Sequence, residues 1–166
     1  SIREIRKKRK ALYSDWTVKS EKKEQGETTG AEQAASKQRS SARKQKDQAQ
    51  LDKIAKRSKE NTQKEIQRRM SETNQSREEV ERNLNAQFEK TDVVFEFAAR
   101  GPVNPFVDFQ DIVASKLRCI INSDHEFYLS FFGTDQVTPY GREVLKLILS
   151  SFHQALVDTH IAATET

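Results

Sequence analysis

The side chains of this sequence best suited to metal binding or nucleophilic catalysis are three histidines and a single cysteine. His153 and His160 are seven residues apart, which on a helix places them on one side but about 10 Å apart along the axis. That separation is too large for both imidazoles to bind one metal ion directly. His125 follows Asp124 in the first turn of a predicted helix, an ordinary position for it. We therefore predict no metal site and no catalytic histidine.

Cys119 lies in an apolar segment, where a buried and unreactive thiol is the common case. A single cysteine also excludes an intramolecular disulfide, as is typical of a reducing compartment. The five glycines form neither a G-x-x-x-x-G-K-[ST] loop nor a G-x-G-x-x-G loop, so there is no recognisable cradle for nucleotide phosphates. These observations predict a protein that is not an enzyme, with no cofactor and no small-molecule substrate.

Basic residues are concentrated towards the N-terminus. Residues 1–90 contain 24 Lys and Arg against 15 Asp and Glu, whereas residues 91–166 contain 5 against 10. A basic region favours polyanions such as nucleic acid, acidic lipid or an acidic protein surface, and the alternative is a solvated surface with no partner. The residues that we predict to contact a polyanion or partner are Arg6, Lys7, Lys8, Arg9, Lys10, Trp16, Arg43 and Lys44.

The basic segment is consistent with several functions. It fits a protein contact, or binding to nucleic acid without sequence preference, because Tyr13 and Trp16 are the only aromatic residues nearby that could stack on bases. It also fits the cytoplasmic flank of a membrane anchor, in which case the chain is the soluble part of a sensor or scaffold. Residues 7–10 match a nuclear address. No apolar run approaches the roughly 20 residues needed to cross a bilayer. We therefore expect an intracellular protein, cytoplasmic or nuclear, with membrane association as an alternative.

The elements that position these residues are indicated by composition. Between Gly30 and Gly101 there are seventy residues without Gly or Pro, rich in residues that favour helices. Thr29 and Glu32 have the spacing of a capping box at the start of a helix. This stretch predicts one long polar helix.

A partial coiled coil is predicted along that helix. Ala35, Ala42 and Ala49 recur every seven residues, although Lys and Gln occupy the same seam farther on. The alternative is a single solvated helix stabilised by charge pairs. The residues predicted to pack in an oligomer or against a partner are Ile66, Met70, Val80 and Leu84 in this helix, with Phe127, Phe131 and Phe132 farther along the chain.

Ten of the thirteen aromatic residues fall between Phe95 and Phe152, and the sequence after residue 101 predicts three short helices. Asn104 and Pro105 mark the start of the first, whose apolar positions run at helical spacing to Ile120. Ser123 begins the second as a capping box. The third begins near Pro139, with a predicted core stripe of Leu145, Ile148, Phe152, Ala155 and Leu156. A strand over residues 92–97 is the minority alternative.

The sequence thus predicts an all-α fold, with one long polar helix followed by a small C-terminal helical bundle. The predicted parts are a basic amphipathic element (1–16), a flexible linker (17–30), a helical or coiled-coil-like spacer (31–100) and a small apolar helical module (101–166). We expect a non-enzymatic interaction protein that forms homo- or hetero-oligomers with protein partners. Nucleic-acid binding and a membrane-anchored scaffold remain the alternatives.

Overall fold

The first half of the described chain consists of three helices separated by short turns. The computed structural model describes the backbone of residues 28–164 and the side chains up to Asp158. Helix α1 spans Gly30–Arg43, α2 spans Gln48–Thr73 and α3 spans Arg77–Gln87. The capping box predicted for Thr29 and Glu32 is confirmed, since each side chain accepts the other residue's backbone N–H.

The Gly- and Pro-free stretch is not one helix, because polar residues end and restart it. Asp47 caps the start of α2 by accepting the N–H of Gln50. Asn74 adopts a left-handed conformation with φ 56° that ends α2, and Ser76 forms a capping box with Glu79 that starts α3. Asn tolerates the left-handed region better than most residues, so a helix can end there without glycine.

A three-stranded mixed sheet follows, and the prediction of an all-α fold is wrong. Strand β1 spans Val93–Ala98, β2 spans Val107–Ile112 and β3 spans Lys116–Asn122. The order is β1-β3-β2, with β1 parallel and β2 antiparallel to the central β3. The segments predicted to open a helical bundle therefore include two of the three strands. A π-helical turn (Tyr128–Phe132) and helix α4 (Pro139–Thr164) complete the chain.

The two faces of the sheet are covered by different helices, because successive strand residues point to opposite faces. One core contains Phe95 of β1 and Cys119 of β3, and it packs against Ala31 and Ala35 of α1, Phe132 and the apolar side chains of α4. The other core joins Val94 and Ile112 to α2 and α3; its helical members are Ile66, Val80, Leu84 and the adjoining Phe88. The result is a helix–sheet–helix sandwich.

Helix α1 also protects one sheet edge. Oγ of Ser36 accepts the backbone N–H groups of Asp92 and Val93 at 3.0 and 3.2 Å, and Oε1 of Glu32 accepts that of Phe95 at 3.1 Å. These side-chain oxygens replace the carbonyls of a neighbouring strand, and a covered edge does not pair with other chains. Within residues 28–164, none of the helices is sufficiently long and apolar to span a bilayer.

Candidate interaction surfaces

Helix α4 buries polar side chains against the rest of the protein. Glu143, Lys146, Ser150 and Gln154 lie on one side of the helix and are all buried. Oε2 of Glu143 accepts the backbone N–H of Ala31 at 3.1 Å, and Nζ of Lys146 donates to Oε1 of Glu143 at 2.7 Å. Glu143 thereby places a negative charge at the N-terminus of α1, where the helix dipole favours it.

The ammonium group of Lys146 also has an aromatic environment. Its Nζ lies 5.9 Å from the ring centre of Phe95 and 5.4 Å from that of Phe97. A cation at this distance from a ring face is stabilised by the ring quadrupole. The polar side of α4 is thus fixed by specific partners, which sets the rotation of the helix about its axis.

That rotation turns an apolar side of α4 to solvent. We call Val144, Ile148, Phe152 and Leu156, spaced four residues apart, the apolar stripe, of which Val144 is half-buried. Ile148, Phe152 and Leu156 are 56%, 65% and 55% exposed, although the sequence predicted them as core. Between residues 144 and 157 the only Lys, Arg, Asp or Glu is Lys146, which is buried. An outward face without charge over about four helical turns is typical of a protein interface.

A second exposed apolar feature is the aromatic turn, which we define as residues 127–132. Phe132 is fully buried in the core, whereas Phe127, Leu129 and Phe131 are exposed. The ring of Tyr128 meets that of Phe97 edge-on at 5.8 Å. The predicted packing residues of this segment thus divide between core and surface. A Cβ atom on Gly133 would lie 2.5 Å from Cε1 of Tyr128, so the turn closes tightly against its glycine.

A basic cleft lies where the end of α1, the start of α2 and the second half of α4 meet. It is lined by Arg39, Arg43, Lys46 and Arg57, with the carboxylate of Asp111 among them. Arg39 and Arg57 each donate to Asp111, at 2.5 and 2.7 Å. Its cavity of about 10 Å³ holds one water molecule at most. A larger anion would therefore contact the mouth of the cleft rather than enter it.

His153 forms one wall of the basic cleft and stacks on Phe109, with 4.2 Å between ring centres. Burial lowers the pKa of His153 below its ordinary value of 6.5, and the nearby charges of Arg39 and Arg57 lower it further, against an opposing effect of Asp111. The imidazole is therefore neutral at pH 7. It contributes packing to the cleft and no positive charge.

The turn between β2 and β3 is strained, and its Ser115 carbonyl accepts a hydrogen bond from Arg39 of the basic cleft at 3.0 Å. Val113, Ala114 and Ser115 have φ of 41°, 52° and 66°, a run of left-handed residues without glycine. Side chains of α2 hold it in place: Oγ1 of Thr62 accepts the N–H of Val113 at 2.9 Å, and Oγ of Ser58 accepts that of Ser115 at 2.8 Å. Such strain persists only where the surroundings determine the backbone.

On the opposite face of the sheet, Glu65 of α2 is the centre of a buried ion network. It accepts hydrogen bonds from Arg118 of β3 and from Arg68 and Arg69 of its own helix, at 2.7–3.0 Å. Burial by itself would raise the pKa of Glu65, but the hydrogen bonds from these guanidinium groups outweigh it and hold the pKa far below its ordinary range. Glu65 is a structural group that joins α2 to the sheet.

The structure places the other predicted contact residues as follows. Ile66, Val80 and Leu84 are buried in this chain's own core, whereas Met70 is 38% exposed. Arg43 lines the basic cleft, and Lys44 follows it at the exposed end of α1. The remaining predicted contacts, Arg6, Lys7, Lys8, Arg9, Lys10 and Trp16, lie outside the described residues.

The residues considered for chemistry are dispersed. Burial raises the pKa of the Cys119 thiol strongly, so it is protonated at neutral pH. Nδ1 of His125 accepts the N–H of Phe127, a local contact within a turn. Among the described residues there is no group of three or more His, Cys, Asp or Glu arranged to hold a metal ion.

Comparisons of the chain with protein-family models, with curated proteins and with solved structures find no match. Any function must therefore be inferred from the surfaces described above.

Proposed function

We propose that this chain is a non-enzymatic protein-interaction module and that α4 is its docking element. The observation that carries the proposal is the inverted arrangement of α4, which buries its polar residues and exposes Ile148, Phe152 and Leu156. Exposing these three side chains to water is unfavourable, since each gains about 1.5–3 kcal/mol on full burial. A partner that covers them would recover part of this free energy.

The stripe has the chemistry of a surface that receives another helix. Its four members occupy one ridge of residues four apart, and such ridges pack into the grooves of a neighbouring helix. Leu145 and Leu149 flank this ridge and are half-buried. An apolar helix laid along the stripe would contact the aliphatic and aromatic side chains of this ridge, with Ser151 at its edge.

The surrounding fold supports a preformed interface. Glu143 and Lys146 connect α4 to α1 and to the sheet, and Leu145 and Leu147 pack against the adjacent core. The stripe is therefore held on a rigid support, which reduces the entropy lost when a partner binds.

The proposal is tested by binding of a fluorescent amphipathic helical peptide with leucine at every third or fourth position. We expect the full chain to bind it and a Phe152→Asp variant to bind at least about tenfold more weakly, equivalent to 1.4 kcal/mol. Met70→Asp is the matched control, because it places the same charge at an exposed apolar side chain away from the stripe. Equal binding by Phe152→Asp and the unmodified chain would refute the proposal.

A second candidate function is polyanion binding, which the basic cleft favours. Four cationic side chains line the cleft; Arg39 and Arg57 pair with Asp111, and Lys46 pairs with Asp158 at 2.6 Å. Nε of Arg39 is buried without a hydrogen-bond partner among the described residues. We expect duplex DNA to bind at about 50 mM salt and to dissociate as the salt concentration rises. A double Arg43→Ala, Lys44→Ala variant should bind more weakly, and undetectable binding by the full chain at low salt would exclude this function.

A further inference from the structure

We infer that the partner of the apolar stripe is an acidic amphipathic helix, which lays apolar side chains on the stripe and carboxylates on Lys37 and Lys44 of α1. This inference rests on the proposed function and specifies the charge of the partner. Three observations on the described residues carry it: α1 lies directly beside the stripe, its outward lysines have no ion-pair partner, and neither helix exposes a carboxylate along the stripe.

Helices α1 and α4 lie side by side and run in the same direction. Hydrogen bonds between them occur from the start of α1 to the turn after it, and they join Ala31 to Glu143, Gln38 to Ser151 and Lys46 to Asp158. The two members of each pair are 112 or 113 residues apart in the sequence, so the register is constant along the helices. The same offset places Lys37 level with residues 149–150 and Lys44 level with residues 156–157. Both lysines therefore lie alongside the apolar stripe.

We call Lys37 and Lys44 the basic flank of the stripe. They are seven residues apart, so they lie on one side of α1, about 10 Å from each other along its axis. That side is opposite the buried Ala35, and both lysines are exposed. Within the described part of the chain neither lysine forms an ion pair, whereas Lys46 pairs with Asp158. The basic flank is therefore available to bind carboxylates.

The outer surface of these two helices has no acidic group to balance the basic flank. Between residues 30 and 46 and between residues 139 and 157, the only acidic residues are Glu32 and Glu143, which are 1% and 2% exposed. A partner on the stripe therefore meets positive charge, which favours carboxylates and opposes a basic segment. Residues 1–16 of the same chain are a poor occupant for this reason, because residues 6–10 are five basic residues in a row.

The basic flank borders only one side of the stripe. Ser151 faces α1, and Leu149, about 200° away around the helix, lies on the other side and is half-buried. A partner helix fits this asymmetry, because it can present leucines to α4 and carboxylates to α1. An acidic bilayer attracts cations on both borders of an apolar helical face, and the residues of α4 on the other border supply none between residues 143 and 157.

The experiment uses three fluorescent helical peptides with the same leucine pattern. They differ only at two positions, seven residues apart and beside the leucines, which are both Glu, both Gln or both Lys. Fluorescence anisotropy measures their binding to the full chain at about 50 mM salt. We expect the Glu peptide to bind at least about tenfold more tightly than the Lys peptide, with the Gln peptide between them. At about 0.5 M salt the difference should shrink, because the charges are screened.

Reversing the basic flank should reverse this order. In a double Lys37→Glu, Lys44→Glu variant the Lys peptide should bind more tightly than the Glu peptide. The matched control is Lys59→Glu, Lys64→Glu, which makes the same change at two exposed lysines of α2, on the other face of the sheet. This control should keep the original order. Circular dichroism verifies that both variants fold.

The outcomes separate this inference from the proposed function. Equal binding of the three peptides that Phe152→Asp weakens would overturn the acidic partner and leave the docking role of α4 intact. Failure of all three peptides to bind would remove both. A preference for the Glu peptide that survives Phe152→Asp, or that the reversed flank does not alter, would place the binding on another basic surface and overturn the inference.

Two further measurements test the other occupants. Displacement of the Glu peptide by vesicles rich in phosphatidylserine, but not by neutral vesicles, would assign the surface to acidic lipid. Self-association of the chain in sedimentation equilibrium that Phe152→Asp abolishes would assign the stripe to a second copy. Either result would overturn the acidic helix, and we expect neither.

Discussion

Nη1 of Arg118 donates a hydrogen bond of 2.7 Å to Oε1 of Glu65, a residue 53 positions earlier in the chain. This contact joins the central strand β3 to helix α2 between side chains that are 3% and 6% exposed. Buried ion pairs contribute little when both members are compared with apolar replacements, but the loss of one member strands the other. The pair therefore couples the stability of α2 to that of the sheet.

Arg118→Met should destabilise the protein by about 1.5–3 kcal/mol, because it removes one charged donor from the buried carboxylate of Glu65, which keeps Arg68 and Arg69 as partners. Urea unfolding followed by circular dichroism measures the change. The matched control is Arg68→Met, which removes another donor to Glu65 from a half-exposed position and should cost less than about 1 kcal/mol. Equal losses of unfolding free energy in the two variants would show that the buried Arg118–Glu65 contact stabilises the protein no more than the half-exposed Arg68–Glu65 contact.

His153 should titrate below 6.5 in an NMR experiment, because burial and two arginines disfavour its charged form. The unfolded chain then takes up this proton first as the pH falls. Stability is lost as the pH drops below about 6.5 towards the lower pKa of the folded state. Arg57→Ala removes a positive charge and should raise the His153 pKa. A downward shift in that variant would show that the charge environment of the basic cleft is misassigned.

Ala114→Gly should stabilise the protein or leave it unchanged. A left-handed residue with a Cβ costs roughly 1–2 kcal/mol, and glycine avoids that cost while losing about 0.5–1 kcal/mol of backbone entropy. Ala114→Val at the same exposed position is the opposite control, since a β-branched residue tolerates positive φ poorly. Thermal unfolding of both variants measures the difference in stability. A Gly variant less stable than the Val variant would contradict the left-handed conformation of Ala114.

Gly133→Ala should destabilise the aromatic turn by about 1–3 kcal/mol, because its Cβ would overlap the ring of Tyr128. A double-mutant cycle with Tyr128→Ala isolates this contact. The methyl group should cost much less once the ring is absent, with near-UV circular dichroism reporting on the packing. The same cost in both backgrounds would mean that Gly133 matters for another reason.

Local sequence accounted for the features that depend on neighbouring residues. The capping box of Thr29 and Glu32 was predictable because both groups lie within one helical turn. The helical character of residues 30–87 followed from composition, although the breaks at residues 44–47 and 74–76 did not. Sequence also identified the apolar positions of α4, but it assigned them to the core.

Tertiary contacts decided the rest. In residues 106–120 the apolar positions fit both a helix and a pair of strands. The structure has strands there because β3 pairs with β1 on one side and β2 on the other, and its Arg118 donates a hydrogen bond to Glu65 of α2. The left-handed turn after β2 contains no glycine, so the sequence does not predict it. Its backbone conformation is held by hydrogen bonds to Ser58 and Thr62 of α2. The orientation of α4 is set by the hydrogen bond between Glu143 and Ala31, 112 residues apart. Sequence determined which residues are apolar, whereas long-range polar partners determined which of them face outward, because burying a carboxylate or ammonium group without a partner costs more free energy than leaving an apolar side chain exposed.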